Sequence, residues 1–337
     1  MVRRILAAAL LLVVAVALLL LSWPQLFGLL RSSLIAQAIS FRGAAAVAAL
    51  IAFVIVIVFA TASRRFRRLG ASLAILALGF VLLNAAILEG RGFGNTVFQP
   101  KRASDVTVVS WNTLGGAPGA NAIATLALEA RADILSLPET DRKTADAVAV
   151  IMTAAGRPMT PHTTAFDEIS KARSTSVLVS TRLGRYRVDS TSGSTTTLPT
   201  VILLPDGGTG PTIVAVHAVA PLPTELANWN SDLEWLSGAC RSPNVIMAGD
   251  FNATLDHLVG LGTSPGTTIG RCTDAALQSR NGAVGTWPTA TPALVSAPID
   301  HIMATGDWRV SGMRVVQNLD RAGSDHRPIV AQLSTTP

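Results

Sequence analysis

Apolar and polar positions fall into two regimes that meet near residue 90. Before it, three stretches carry no charged residue: Ile5 to Leu30, Gly43 to Ser63 and Leu69 to Leu88. Each reaches the roughly 20 helical residues, at about 1.5 Å apiece, that cross a hydrocarbon core about 30 Å thick. Only a helix satisfies its own backbone groups there, so the pattern predicts three membrane-spanning helices near 5–22, 43–60 and 70–88. A secretory signal peptide competes for the first, because Arg3 and Arg4 precede it and Ala36-Gln37-Ala38 resembles a cleavage site. The apolar run is too long for one.

From 91 to 102 Gly, Asn and Pro interrupt any periodicity, as in a linker. Beyond it, over 103–335, short apolar runs alternate with helical stretches such as Ala120 to Ala130. Val106 to Ser110 runs into Trp111-Asn112, and Ala132 to Leu137 stops at Pro138-Glu139. Thr212 to Val216 ends at His217, and Asn244 to Ala248 ends at Gly249-Asp250-Phe251-Asn252. Ile299-Asp300-His301-Ile302 and Gly323-Ser324-Asp325-His326-Arg327-Pro328 precede further apolar runs. The chain therefore divides into an anchor (1–90), a linker (91–102) and one large α/β or two-sheet domain (103–335).

Charge sharpens this division. With 49% hydrophobic residues the chain is too apolar for a disordered or collagen-like protein. Its formal charge is +6, from 27 basic and 21 acidic residues, yet residues 1–88 hold eight Arg and no acid, which leaves 19 basic against 21 acidic, or −2, for the rest. The basic excess therefore belongs to the anchor and gives no support to a nucleic-acid reading. Basic residues are retained in short cytoplasmic loops. Arg64-Arg65-Phe66-Arg67-Arg68 and the Arg3-Arg4 pair thus lie inside, and three crossings place everything after Leu88 outside. The expectation is a multi-pass plasma-membrane protein with a cytoplasmic N-terminus and an extracytoplasmic domain. Binding of anionic lipid head groups is another use for the Arg cluster, but topology explains it without further assumption. Cys240 and Cys272 both fall in the outer domain, where an oxidising compartment favours a disulfide over two buried thiols.

Carboxylates, amides and imidazoles at successive strand ends suit phosphate ester hydrolysis. Hard oxygen ligands hold a divalent ion that neutralises phosphoryl charge, and an imidazole or carboxylate prepares water for attack. Zinc-site spacing, a nucleotide-binding Gly-rich loop with Lys and a Gly-x-Ser-x-Gly elbow are all absent from the sequence.

Ser110-Trp111-Asn112, Leu137-Pro138-Glu139, Gly249-Asp250-Phe251-Asn252, Ile299-Asp300-His301 and Ser324-Asp325-His326-Arg327-Pro328 resemble, in order, the signature blocks of the endonuclease/exonuclease/phosphatase superfamily. The resemblance implies an α/β fold, a DNase I-like four-layer α/β/β/α sandwich behind the three transmembrane helices. By matched position it implies Glu139 as the principal metal carboxylate, with Asn112 and Asp325 at the same ion, Mg2+ or alternatively Mn2+. Asp250 and Asn252 would position water and a phosphoryl oxygen, His326 would be the catalytic histidine oriented by Asp300, and His217 would contact phosphate from the other side. Whether Asp250 or His326 is the base stays open. Pro138 stands where the family commonly has Gln, which changes the neighbour of the metal Glu. His162, His257 and His301 read as surface or supporting residues, and Trp229 and Trp235 as parts of an amphipathic helix.

The superfamily's substrates range from DNA to lipid pyrophosphates, so fold alone does not select one. A domain tied to the outer leaflet meets lipid head groups at high effective concentration, and its charge of −2 offers little attraction for a polyanion. The arrangement resembles the membrane-anchored, teicoplanin-resistance-type undecaprenyl pyrophosphate phosphatases. The expected partners are the bilayer and a phosphorylated lipid, with nucleic acid disfavoured and oligomeric state left open. A tethered nuclease using Arg182, Arg185 and Arg187 is the alternative, and a non-catalytic binding domain is a third reading.

Overall fold

The computed structural model describes residues 1–167 and 169–335. The first 91 residues form α1 (Val2–Ser22), a short α2 (Ile35–Ser40), α3 (Arg42–Ala62) and α4 (Arg67–Arg91). Helices α1, α3 and α4 are long and apolar enough to cross a membrane. Hydrophobic side chains surround them on every side, as expected of helices that face hydrocarbon.

The remainder is a sandwich of two six-stranded mixed sheets. Its elements are β1 (Val106–Ser110), α5 (Gly119–Glu129), β2 (Ile134–Pro138), α6 (Arg142–Ala154), β3 (Met159–Ala165), β4 (Ser174–Ser180), β5 (Tyr186–Val188), β6 (Val201–Pro205), β7 (Thr212–His217), α7 (Leu226–Ala239), β8 (Val245–Asp250), β9 (Thr273–Asp274), α8 (Ala275–Gln278), β10 (Asp300–Ala304), β11 (Trp308–Val315) and β12 (Ile329–Thr335). One sheet runs β11-β12-β1-β2-β4-β3 and the other β5-β6-β7-β8-β10-β9.

The central strands are buried on both faces, which is why they read as unbroken apolar runs rather than alternating ones. Side chains of one parity, Val106, Val108, Ile134 and Val177 against Ile213, Ala215, Ile246 and Ile302, fill the space between the sheets. Those of the other parity pack under helices. Val109, Leu135 and Leu178 meet Ile123 and Ala127 of α5 and Val148 and Met152 of α6. Val214, Val216 and Met247 meet Trp229, Leu233 and Leu236 of α7. The result is the four-layer sandwich. Asp141 caps α6 by accepting from the Thr144 amide at 2.8 Å. Cys240, at the end of α7, is joined to Cys272 by a disulfide with 6.0 Å between Cα atoms. Residues 190–197, rich in Ser and Thr, form a loop.

Residues 92–105 form neither helix nor strand, yet they lie against the sandwich. The Gly94 amide donates to the Arg280 carbonyl at 3.0 Å and the Gln99 amide to the Ser311 carbonyl at 2.8 Å. The apolar helices are seated on the same domain. Arg42 at the start of α3 and Arg91 at the end of α4 both grip Asp256, each with two bonds of 2.7–2.9 Å, and the three side chains are largely buried. Asn84 of α4 accepts a further bond from Arg42 at 2.8 Å. His257 reaches the Ala36 carbonyl of α2 through Nε2 at 3.0 Å. Gly43 has no room for a side chain, since a Cβ there would lie 1.9 Å from the Leu294 carbonyl oxygen.

Candidate active site

Strand direction brings the polar strand ends to one edge. β1 and β2 are parallel, as are β7 and β8, and all four finish there. β10 is antiparallel to β8 and β12 to β1, so these two begin where their neighbours end. Asp250 is thereby in register with both His217 and Asp300. Glu139 and Asn252, just beyond β2 and β8, have φ of +54° and +46°. Such left-handed conformations are uncommon for residues other than glycine and mark constrained turns at functional edges. Gly249, with φ +154°, lets β8 approach β7; a Cβ there would sit 2.0 Å from the Val216 carbonyl oxygen.

Asn112 joins the two sheets. Its Nδ2 donates to Glu139 Oε1 at 3.0 Å and to Asp250 Oδ2 at 3.1 Å, while Oδ1 accepts from the Leu114 amide. Asp250 Oδ1 accepts from the Asn252 amide at 2.8 Å, and Asn252 Nδ2 donates to the Ala218 carbonyl at 2.9 Å. His326 Nδ1 lies 2.9 Å from Asp300 Oδ2, and its Nε2 is 3.8 Å from Asp250 Oδ2. The backbone of His326 is fixed by Ser324 Oγ on its amide and Trp111 Nε1 on its carbonyl. His217 Nε2 stands 3.8 Å from Glu139 Oε1 across the site. Asp325 accepts from Trp287 Nε1 at 2.9 Å through Oδ2. All eight residues singled out in the sequence therefore gather at this edge.

Burial pushes the His217 imidazole down to about 3, helped by the positive charge of His326, so His217 is neutral. Burial also works against a charge on His326, but the carboxylates of Asp300 and Asp250 outweigh it and raise this imidazole far above its ordinary value. Asp250 is shifted upward by burial and by Asp300, against the opposing pull of His326. Glu139 moves up by burial and by repulsion from Asp325 and Asp300, partly offset by the Asn112 hydrogen bond.

This crowding of carboxylates fits a divalent cation. The Asp325 Oδ1 and Asp300 Oδ1 atoms are buried with no hydrogen-bond partner, and such orphans call for a missing one. Glu139 and Asp325 line the same cavity, and with Asn112 they offer oxygen atoms of the kind a hard divalent ion takes. Ligand atoms of Asp250, Asp300 and His326 lie within 4.8 Å of one another and form a second candidate group. His326 Nδ1 is already engaged there by Asp300.

A family model described as "Endonuclease/Exonuclease/phosphatase family" matches residues 109–326, which span every residue of this edge. The chain belongs to that family. Members of the endonuclease/exonuclease/phosphatase family are hydrolases, so this edge is a candidate hydrolytic site. Among solved structures, the endonuclease/exonuclease/phosphatase from Beutenbergia cavernae DSM 12333 is 21% identical with a TM-score of 0.52, over 69% of this chain and 72% of that one. Humanized D. rerio TDP2 is 14% identical with a TM-score of 0.52, over 69% of this chain and 100% of that one. D. rerio TDP2 complexed with a single-strand DNA product is 17% identical with a TM-score of 0.50, over the same shares. At these identities the likeness is one of fold. No curated protein matches the chain.

Part of the wall above this edge left no signal in the sequence. A cavity of about 450 Å³ opens over it, lined by His217, Asp250, Asn252, Asp325 and His326, but also by Trp287 and by Gln37, Ser40 and Phe41 from the N-terminal helical segment. Trp287 lies outside the signature blocks, and the N-terminal residues sit among apolar runs more than 60 positions before the first block, so local pattern offers no signal for either. His257 and His301, read as surface or supporting residues, are both fully buried. His301 is held between Asp274 and the Ala253 carbonyl.

Proposed function

We propose that this protein is a membrane-anchored, divalent-metal-dependent phosphohydrolase whose catalytic domain lies outside the cytoplasm and acts on a lipid-linked phosphate or pyrophosphate. The observation that carries this reading is the cavity wall: Gln37, Ser40 and Phe41, from the segment between two membrane-length helices, stand beside His217, Asp250 and His326. A reacting group held there is within reach of a bilayer around those helices.

Three further features support it. Asp256 offsets one of the two charges of Arg42 and Arg91 at the domain-facing end of the helices, where Arg31 also lies, and the larger group of arginines, Arg64, Arg65, Arg67 and Arg68 with Arg3 and Arg4, lies at the far end. The Cys240–Cys272 disulfide suits an oxidising compartment. Arg182, a candidate for a nucleic-acid groove, is committed to Asp133 at the opposite end of β2, together with Lys101 and Arg157.

In this reading Glu139, Asn112 and Asp325 hold Mg2+ or a similar ion, which when bound offsets negative charge on the phosphoryl oxygens. His326, kept protonated by Asp300 and Asp250, donates Nε2–H toward a phosphoryl oxygen. Asp250 then serves as the base for the attacking water, which Asn252 helps to orient. Neutral His217 donates from the opposite side, next to Glu139. Phosphate release from undecaprenyl pyrophosphate by the full chain in liposomes tests the reading. Release with Mg2+ that EDTA abolishes is expected; metal-independent release, or none, would overturn it.

A further inference from the structure

The anchor is seated on the outer domain at several points around the cavity. Asp256 clamps Arg42 and Arg91, His257 holds the Ala36 carbonyl, and Arg31 donates to the His257 carbonyl at 3.1 Å. Gln37 Nε2 donates to the Pro221 carbonyl, while its Oε1 is buried with no partner. Between these fixings Phe41 lies against Trp287, with ring centroids 5.9 Å apart and planes at 48°. Trp287 in turn lies 6.5 Å from the His326 ring and donates its indole N–H to Asp325. A row of rings thus leads from the catalytic edge to the first residue before a membrane-length helix. Leu198, Val219 and Leu222 line the same cavity.

The cavity combines charged and hydrogen-bonding residues, among them Asp250, Asn252 and His326, with an apolar set that includes Phe41, which immediately precedes a membrane-length helix. A free phosphate, a nucleotide or a DNA backbone would leave the apolar set facing water. A phosphate joined to a long hydrocarbon meets both sets, its first methylenes passing from the bilayer to the apolar wall without exposure to water. We infer that the anchor forms part of the substrate site, with Phe41 and Trp287 receiving the hydrocarbon next to the reacting phosphate. The inference rests on the lipid-substrate reading and adds specificity-determining residues to it. Phe41 touches the chain of the substrate and not the reacting atoms. It therefore acts on the choice among phosphates more than on the chemical step.

The test uses the full chain in liposomes with two substrates that share a reacting group, a long-chain polyprenyl pyrophosphate and a five-carbon prenyl pyrophosphate. Phe41→Ala should reduce the long-to-short ratio of kcat/KM by about tenfold, the scale of lost apolar contacts in a specificity pocket. Phe41→Leu, which keeps an apolar wall, should restore most of the preference. Because Phe41→Ala could disturb the seating of the anchor, a photoreactive benzoylphenylalanine at position 41 provides a second measurement. It should form an adduct with the long-chain substrate, whereas the same group at the exposed Phe166 should not. An unchanged ratio, or no adduct at position 41 while wild-type turnover of the long-chain substrate persists, would overturn the inference alone. Failure of the wild-type chain to hydrolyse either prenyl pyrophosphate would overturn the lipid-substrate reading as well.

Discussion

Asn112 shows how one amide organises the site: a single Nδ2 bridges a carboxylate from each sheet, so the two halves of the sandwich are referenced to each other at the point of chemistry. Glu139, Asp250 and His326 then strike separate parts of one transition state. Glu139→Gln, Asp250→Asn and His326→Ala should each lower kcat by at least about a hundredfold, the scale of losing one acid–base or ligand group. Melting temperatures of the three variants should stay close to that of the wild type. A fully active His326→Ala protein would remove the imidazole from the mechanism. These residues were legible in the sequence because each ends or begins a short apolar run, and fixed strand directions carry such positions to one edge. Trp287 was not, since its place beside His326 depends on a loop return with no periodicity.

Among elements, the decisive contact is the seat of α3 and α4 on Asp256. Two arginines around one buried carboxylate leave a poorly solvated positive pair if that charge is removed, an arrangement costly to break. Asp256→Asn should loosen the anchor, read as faster proteolysis within residues 23–41 in liposomes; unchanged proteolysis would show that the clamp does not hold the seat. Acid should act in the same direction. Burial holds His257 down at about 4 against an ordinary 6.5, although Asp256 opposes the shift and Arg91 and Arg31 add to it. Where the seated pKa is depressed, the unseated form takes up protons first, so seating weakens as pH falls from about 6.5 toward 4. Asp256 is buried, but Arg91 and Arg42 outweigh that and hold its carboxyl well below the ordinary 3.8. Its contribution is therefore intact above about pH 3.8 and is lost only below it. The protection of α2 amides, taken as exchange corrected for its intrinsic pH dependence, should fall between pH 7 and 5, and protection that is flat across this window would contradict the assignment. None of this was legible from sequence. Asp256 and Arg42 are 214 positions apart, and no local pattern links them.

At the scale of the molecule, the division into an apolar third and a two-sheet domain was visible directly, because a run of uncharged residues and a strand-length apolar segment differ in length alone. What pattern does not carry is how the two parts meet, and in the proposed function that meeting ties the site to a bilayer. Reporter fusions after Arg68 and after Pro100 should report cytoplasm and exterior respectively; an exterior signal at Arg68 would invert the topology. The most direct test of the central claim compares kcat/KM of the full chain in liposomes for undecaprenyl pyrophosphate and for plasmid DNA across a salt series. Recognition of one head group held at the bilayer predicts strong preference for the lipid and weak dependence on salt, whereas backbone binding by a nuclease declines steeply with salt. Metal-dependent cutting of DNA with no phosphate released from the lipid would contradict the account.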